Sequence, residues 1–92
     1  MKITTTENDT TIFLDIDCED STAVKEASVV IPKDDLTRAS IIVVWKNGDE
    51  WGYKMPNYFS VLALMGEESV GRFINTIKRE AVYTRFLRST NR

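Results

Sequence analysis

The residues best suited to chemistry are few in this sequence. Asp15 and Asp17 point to the same face of a predicted strand, and with Glu19 or Asp20 nearby they are the candidate ligands for a hard cation. No loop spacing completes a coordination sphere, so we expect solvated carboxylates that oppose edge-to-edge pairing of strands. The sequence therefore predicts no metal site and no cofactor.

The side chains that most often act in catalysis are absent or isolated. The 92 residues contain no histidine, which removes the commonest general base. Cys18 has neither a histidine to activate it nor a second cysteine for a zinc site, so we expect a small buried apolar residue. Neither a P-loop nor a dinucleotide-binding glycine pattern occurs. We therefore predict no catalytic residue, and a protein that binds a partner without being an enzyme.

The strongest local structural signal is a β-hairpin. Residues 41–46 and 49–54 are rich in β-branched and aromatic side chains, and Asn47-Gly48 between them is the preferred two-residue type I′ turn. The register of such a turn predicts two pairs of side chains on one face, Val44 opposite Trp51 and Ile42 opposite Tyr53. We expect this face to be core.

Trp45 lies on the other face of the predicted hairpin, where Gly52 supplies no side chain to cover it. If the helices pack against the Trp51 face, an apolar patch stays on the helix-free side of the sheet and is a candidate contact surface for a partner. The members of this predicted patch are Trp45, Val43, Ile41 and Phe13. The alternative is that the N-terminal segment folds over the patch.

Charge is unevenly distributed along the chain. The net charge is −2, yet residues 1–37 carry three basic and nine acidic side chains, whereas residues 72–92 carry six basic and one acidic. A basic segment can bind the phosphates of a nucleic acid, although the two halves of one fold can also attract each other. The candidate nucleic-acid or anion contacts, on the polar side of a predicted last helix, are Arg72, Lys78, Arg79 and Arg85.

The remaining pattern predicts the fold. An alternating run at residues 10–18 and a β-branched run at 27–31 are expected to pair antiparallel, and Pro32 ends the second. After Pro56 the period becomes helical, with a short helix up to Gly66 and then a longer amphipathic one preceded by two glutamates. The buried stripe of the longer helix is predicted to be Val70, Phe73, Ile74, Ile77, Ala81 and Phe86 or Leu87. We expect an α+β fold, with a four-stranded antiparallel sheet of two hairpins and two C-terminal helices packed on one face.

Length and composition indicate one domain, residues 1–92, with frayed residues after Arg88. The chain is 42% hydrophobic and 28% charged, as in ordinary globular proteins. No apolar run reaches the roughly 20 residues that cross a bilayer, and the N-terminus lacks the apolar stretch of a secretory signal. We expect a cytoplasmic protein without membrane association.

Several short motifs follow one another from the predicted hairpin onward. They read Val43-Val44-Trp45-Lys46-Asn47-Gly48, Trp51-Gly52-Tyr53, Met55-Pro56, Ser69-Val70-Gly71-Arg72-Phe73-Ile74-Asn75 and Ile77-Lys78. With these residues the chain, over about positions 41–78, resembles the KTSC domain, a module found at the C-terminus of some lysyl-tRNA synthetases and as stand-alone small proteins. Trp51 stands where the family pattern has a tyrosine. The resemblance implies RNA as a partner, because the family is proposed to bind RNA, and it carries over no catalytic residue.

Three polar or small residues of the last motif have two interpretations. Ser69, Gly71 and Asn75 either form a polar contact site at a helix start, where N–H groups favour anions, or have structural roles. In the structural interpretation Ser69 caps the helix, Gly71 permits close packing and Asn75 bonds to backbone. We favour the structural interpretation.

Two classes of function remain. We favour a small non-enzymatic binding module that acts through a protein partner, in an RNA or nucleoprotein context. One alternative is direct RNA binding by the basic C-terminal helix. The other is a small inhibitor protein, such as a viral one, that acts on a larger complex. The sequence pI near 5.1 disfavours strong non-specific binding to nucleic acid, which depends on cations that neutralise phosphates.

Overall fold

The structure, a computed structural model, describes residues 2–66 and 69–89. Within these residues six strands form one antiparallel sheet in chain order, and two helices fall between the fifth and the sixth strand. The elements are β1 (Ile3–Glu7), β2 (Thr11–Ile16), β3 (Val24–Pro32), β4 (Ala39–Trp45), β5 (Asp49–Met55), α1 (Tyr58–Leu64), α2 (Val70–Glu80) and β6 (Tyr83–Ser89). Each strand neighbours the one before it, so β1 and β6 are the two edges of the described sheet.

The prediction of four strands with two C-terminal helices is wrong. The two expected hairpins are confirmed, since β2 pairs with β3 and β4 pairs with β5. One strand is added at each edge, because β1 pairs with β2 and β6 pairs with β5. The pattern of β1 hides it: Ile3 is its only large apolar residue, and the threonines that follow are exposed on both faces. An edge strand of this kind has β-propensity but no apolar alternation.

The segment after α2 is a strand and does not continue the helix. The backbone N–H of Ala81 donates to the carbonyl oxygen of Ile77, and Ala81 then turns to extended backbone with ψ of 134°. Residues 83–89 pair with β5, so Phe86 and Leu87 do not belong to the buried stripe of α2. No glycine or proline marks this boundary in the sequence. The glutamates at positions 67 and 68 lie outside the described residues. Fraying was expected after Arg88, but Ser89 still pairs with Asp49 as the last residue of β6, and positions 90–92 lie outside the described residues.

The turn between β4 and β5 sets a register one residue away from the predicted one. Gly48 has a φ of 95°, in the left-handed region, and its N–H donates to the carbonyl oxygen of Trp45 at 2.9 Å. The side-chain oxygen of Asn47 accepts from the N–H of Asp49. The loop therefore contains three residues, 46–48, a common alternative to the two-residue turn. The resulting pairs are Val43 opposite Trp51 and Ile41 opposite Tyr53.

A shift of one residue exchanges the two faces of a strand, and this decides which side chains form the core. The helix-covered face of the sheet packs against α1 and α2. Its buried side chains are Leu14, Ile16, Ala27, Val29, Ile31, Ala39, Ile41, Val43, Tyr53 and Met55. The helices add Val61, Phe73, Ile74 and Ile77. The opposite side, here called the helix-free face, carries Phe13, Val30, Ile42 and Gly52 at its centre.

Candidate functional site

The four predicted contact residues do not form one surface. Ile41 and Val43 are completely buried on the helix-covered face, and Trp45 is half-buried on that same face. Phe13 lies on the helix-free face, opposite Val30. The predicted Trp45 patch is therefore wrong, because it depended on the register of a two-residue turn.

Trp45 instead lines a cleft on the helix-covered side together with Trp51 and Tyr53. The Nζ of Lys78 in α2 lies 5.4 Å from the centroid of the Trp45 ring, a cation–π contact. Phe86 meets Trp51 edge to face, with ring centroids 5.4 Å apart. Burial raises the pKa of the Tyr53 phenol, and a hydrogen bond with the Trp45 side chain offsets part of this rise. The two indoles thus pack against side chains of this chain, which accounts for them without a ligand.

The four predicted anion contacts are divided between two sides of the molecule. Arg72, Lys78 and Arg79 are exposed on α2, whereas Arg85 lies on β6 opposite Gly52, on the helix-free face. Lys78 covers an indole ring, and the Nε of Arg79 lies 3.9 Å from the carboxylate of its neighbour Glu80. The predicted grouping of all four cations on one helix is wrong, because the helix ends at Glu80.

The start of α2 supports the structural interpretation of its serine. The Oγ of Ser69 accepts from the N–H of Arg72 at 3.4 Å, so Ser69 is the N-cap. A Cβ at Gly71 would meet only the Ser69 side chain, at an ordinary 3.6 Å, which gives no support to a packing role for this glycine. Asn75 is exposed on α2. Ser69 therefore has a structural role.

Asp15, Asp17 and Cys18 lie close in sequence but in different surroundings. Asp15 accepts hydrogen bonds from the hydroxyls of Ser28 and Thr6 on the helix-free face. Asp17 lies beyond the end of β2 and accepts from a backbone N–H two residues on. Burial raises the pKa of the Cys18 thiol, as expected for a buried apolar residue. Among the described residues no group of side chains is arranged to hold a metal ion.

We expect divalent cations to leave thermal stability unchanged. A ligand that binds only the native state raises the melting midpoint, and Asp15 already accepts two hydroxyl hydrogen bonds. Melting curves recorded by circular dichroism in EDTA, millimolar magnesium and millimolar calcium should coincide. A calcium-dependent rise that disappears in the double variant Asp15→Asn with Asp17→Asn would show a site.

The helix-free face contains a groove of about 310 Å³ next to β6. Val30 and Ile42 supply apolar lining, and Gly52 leaves the groove open because it has no side chain. A Cβ at Gly52 would lie 3.7 Å from a methyl group of Leu87, an ordinary contact distance. The groove thus has an apolar wall and free space directly above β5.

Among the described residues, three cations also line this groove. Arg38 precedes β4, Lys54 belongs to β5 and Arg85 to β6, and Tyr83 of β6 also lines the groove. Within residues 2–66 and 69–89 none of the three cations forms an ion pair with a carboxylate. Only Arg85 was predicted as a contact, since the other two are isolated in sequence and only the sheet brings them together. The groove can therefore hold a carboxylate or phosphate beside an apolar group.

The groove opens onto the edge strand β6. No strand of the described chain pairs with its outer side. Arg88 is engaged by Glu50, whose carboxylate accepts from Nε at 2.8 Å. Large apolar side chains are exposed along or beside this edge, namely Val82, Tyr83, Phe86 and Leu87. Four of the seven exposed large apolar side chains of the described chain therefore lie along or beside this edge.

The helices are short, seven residues in α1 and eleven in α2, and within the described chain neither has the length or apolarity to cross a membrane. The resemblance to the KTSC domain stays a prediction that rests on its motifs alone. Comparison of the chain with models of known protein families, with curated proteins and with solved structures found no match.

Proposed function

We propose that this protein is a small, non-catalytic binding module that holds a protein partner on its helix-free face. The observation that carries the proposal is the groove over Gly52, with apolar lining from Val30 and Ile42 and three cations at its sides. A concave apolar surface with a few polar groups is the usual form of a binding site. The cations supply attraction to carboxylates, and the apolar lining supplies burial for aliphatic side chains.

A protein fits this face better than a long polyanion does. Three cations line the groove, and farther out on the same face Asp15 repels phosphate while Arg88 is occupied by Glu50, so a phosphate backbone that runs across the sheet gains little beyond the groove. The whole chain is acidic, with a net charge of −2. Nucleic-acid affinity depends on many neutralised phosphates, whereas a protein partner needs only a few well-placed contacts.

Direct RNA binding by α2 is the second candidate function. The six basic residues of positions 72–92 and the resemblance to the KTSC domain favour it. The geometry supports it less, because Arg85 is on another element and Lys78 and Arg79 already contact neighbouring side chains. Nuclease sensitivity of partner capture separates the two candidates.

The test fills the groove without changing its charge. Gly52 has no positive φ, so Gly52→Val places a β-branched side chain in a strand without backbone strain. We expect the free energy of unfolding to change by less than about 1 kcal/mol and capture of the partner from a lysate of the source cells to fall at least tenfold. Capture by the wild type should survive nuclease treatment.

Thr4→Val is the matched control, because it introduces the same side chain on the same face at the opposite edge of the sheet. It should capture the partner as the wild type does. Equal capture by Gly52→Val and the wild type would show that the groove is not the contact. Loss of capture after nuclease treatment would favour RNA, and Arg72→Glu with Arg79→Glu would then identify α2 as its site.

A further inference from the structure

We propose that an acidic, extended segment of the partner pairs with β6 as a seventh strand and places a carboxylate against Arg85. This inference rests on the proposed function and names the chemistry of the partner at the open side of the groove. It follows from three features of β6: an outer edge that no strand of the described residues pairs with, the alternation of its side chains, and its charge.

The outer edge of β6 is available for backbone pairing. All but the last of its seven residues are exposed, with Tyr83 58% and Phe86 48% accessible. Strand edges with exposed apolar side chains readily pair with another strand. The opposite edge is different: β1 presents mainly threonines, and Glu7 there is held by Lys33 at 2.8 Å. Pairing at β6 is therefore favoured over pairing at β1.

The side chains of β6 specify an alternating partner. Tyr83 and Arg85 point to the helix-free face, while Thr84 and Phe86 point to the helix-covered face. A strand paired with β6 alternates in the same way, so acidic residues can face Arg85 while apolar residues lie beside Phe86. The preferred segment therefore alternates carboxylate and aliphatic side chains.

Charge on the edge selects the acidic partner. Arg88 is already bound to Glu50, so Arg85 is the cation of β6 that forms no ion pair with a described carboxylate. Lys54, opposite Tyr83, is the next cation along the same face. A carboxylate beside Arg85 gains a charge-assisted hydrogen bond, and a second acidic residue is attracted by Lys54.

A second copy of the chain fits this edge poorly. Antiparallel pairing of two β6 strands brings the arginines of both copies, Arg85 and Arg88, onto one short interface, where like charges repel. The β1 edge of a second copy offers Glu7 at its end, which already binds Lys33, and the cation Lys2 just before its start. Neither edge of this chain supplies the acidic alternation that β6 specifies.

The test uses a fluorescent heptapeptide of alternating glutamate and valine with capped ends. Fluorescence anisotropy with the full chain should give saturable binding below about one millimolar. Arg85→Glu should weaken it at least tenfold, and so should N-methylation of alternate peptide residues, which removes strand hydrogen bonds. Arg72→Glu, the same charge change on α2, should leave the affinity unchanged. A peptide with lysine in place of glutamate should not bind.

The outcomes separate strand addition from the proposed function. Equal binding of the N-methylated peptide, or no effect of Arg85→Glu, would overturn strand addition; the proposed function then stands if Gly52→Val still abolishes partner capture. An oligouridine that binds and competes with the peptide at Arg85 would overturn the inference in favour of RNA. A dimer in sedimentation that disappears in Arg85→Glu would assign this edge to a second copy and equally overturn it.

Discussion

Replacing Phe73 with alanine is expected to remove most of the stability of this domain. Phe73 is the largest of the fully buried side chains, and it lies between α2 and the sheet. Removal of a buried phenyl ring costs about 3–5 kcal/mol. The free energy of unfolding of a small domain lies at the low end of the usual range of about 5–15 kcal/mol. Urea denaturation followed by circular dichroism should show a much lower midpoint or no folded baseline.

Phe59→Ala is the matched control for this experiment. The Phe59 ring, on α1, is 70% exposed, so the same truncation removes little buried surface. We expect its free energy of unfolding to change by less than about 1 kcal/mol. Similar losses from the two substitutions would mean that α1 and α2 do not pack on the sheet in the described way.

The core of α2 could be predicted from the sequence because a helix imposes a period on it. Phe73, Ile74 and Ile77 fall on one stripe of a 3.6-residue repeat, and all three are buried as expected. The stripe does not say where the helix stops. Phe86 fits an extension of this stripe, yet it belongs to β6 and pairs with β5. That pairing is a non-local interaction without a sequence signal of its own, so the pattern could not predict it.

The faces of β4 could not be predicted from local pattern. Residues 41–45 are continuously apolar, so no alternation distinguishes the core face from the helix-free face. The turn alone then sets the register, and an Asn-Gly pair occurs in both two-residue and three-residue loops. Here Gly48 closes a three-residue loop, which moves Ile41 and Val43 into the core.

The groove was beyond sequence reasoning for a related physical reason. Arg38, Lys54 and Arg85 are separated by 16 and 31 positions in the chain and belong to no motif. They approach one another because β4, β5 and β6 are neighbours in the sheet. Lys54 of β5 lies opposite Ser40 of β4, and Arg85 of β6 lies opposite Gly52 of β5. The neighbourhood depends on the register and on β6, the two features that the sequence left undetermined.

The register between β4 and β5 can be tested by placing an aspartate at either of two adjacent positions of β4. Ile41 is completely buried and lies between Val29 and Tyr53, whereas Ile42 is half-buried in the groove. Ile41→Asp places a carboxylate in the core without a partner and removes a buried side chain. We expect it to cost more than about 5 kcal/mol and to unfold the protein.

Ile42→Asp is expected to leave the fold intact at a cost of about 1–2 kcal/mol, because its carboxylate lies in solvent near Arg85 and Lys54. It should also abolish partner capture, since its carboxylate competes with the partner for Arg85 and Lys54 and the substitution removes apolar lining from the groove. Circular dichroism and urea denaturation of both variants, with capture measured in parallel, give the answer. If Ile42→Asp unfolds the protein and Ile41→Asp does not, the two-residue turn sets the register. The helix-free face would then carry Trp45, and the groove would not exist.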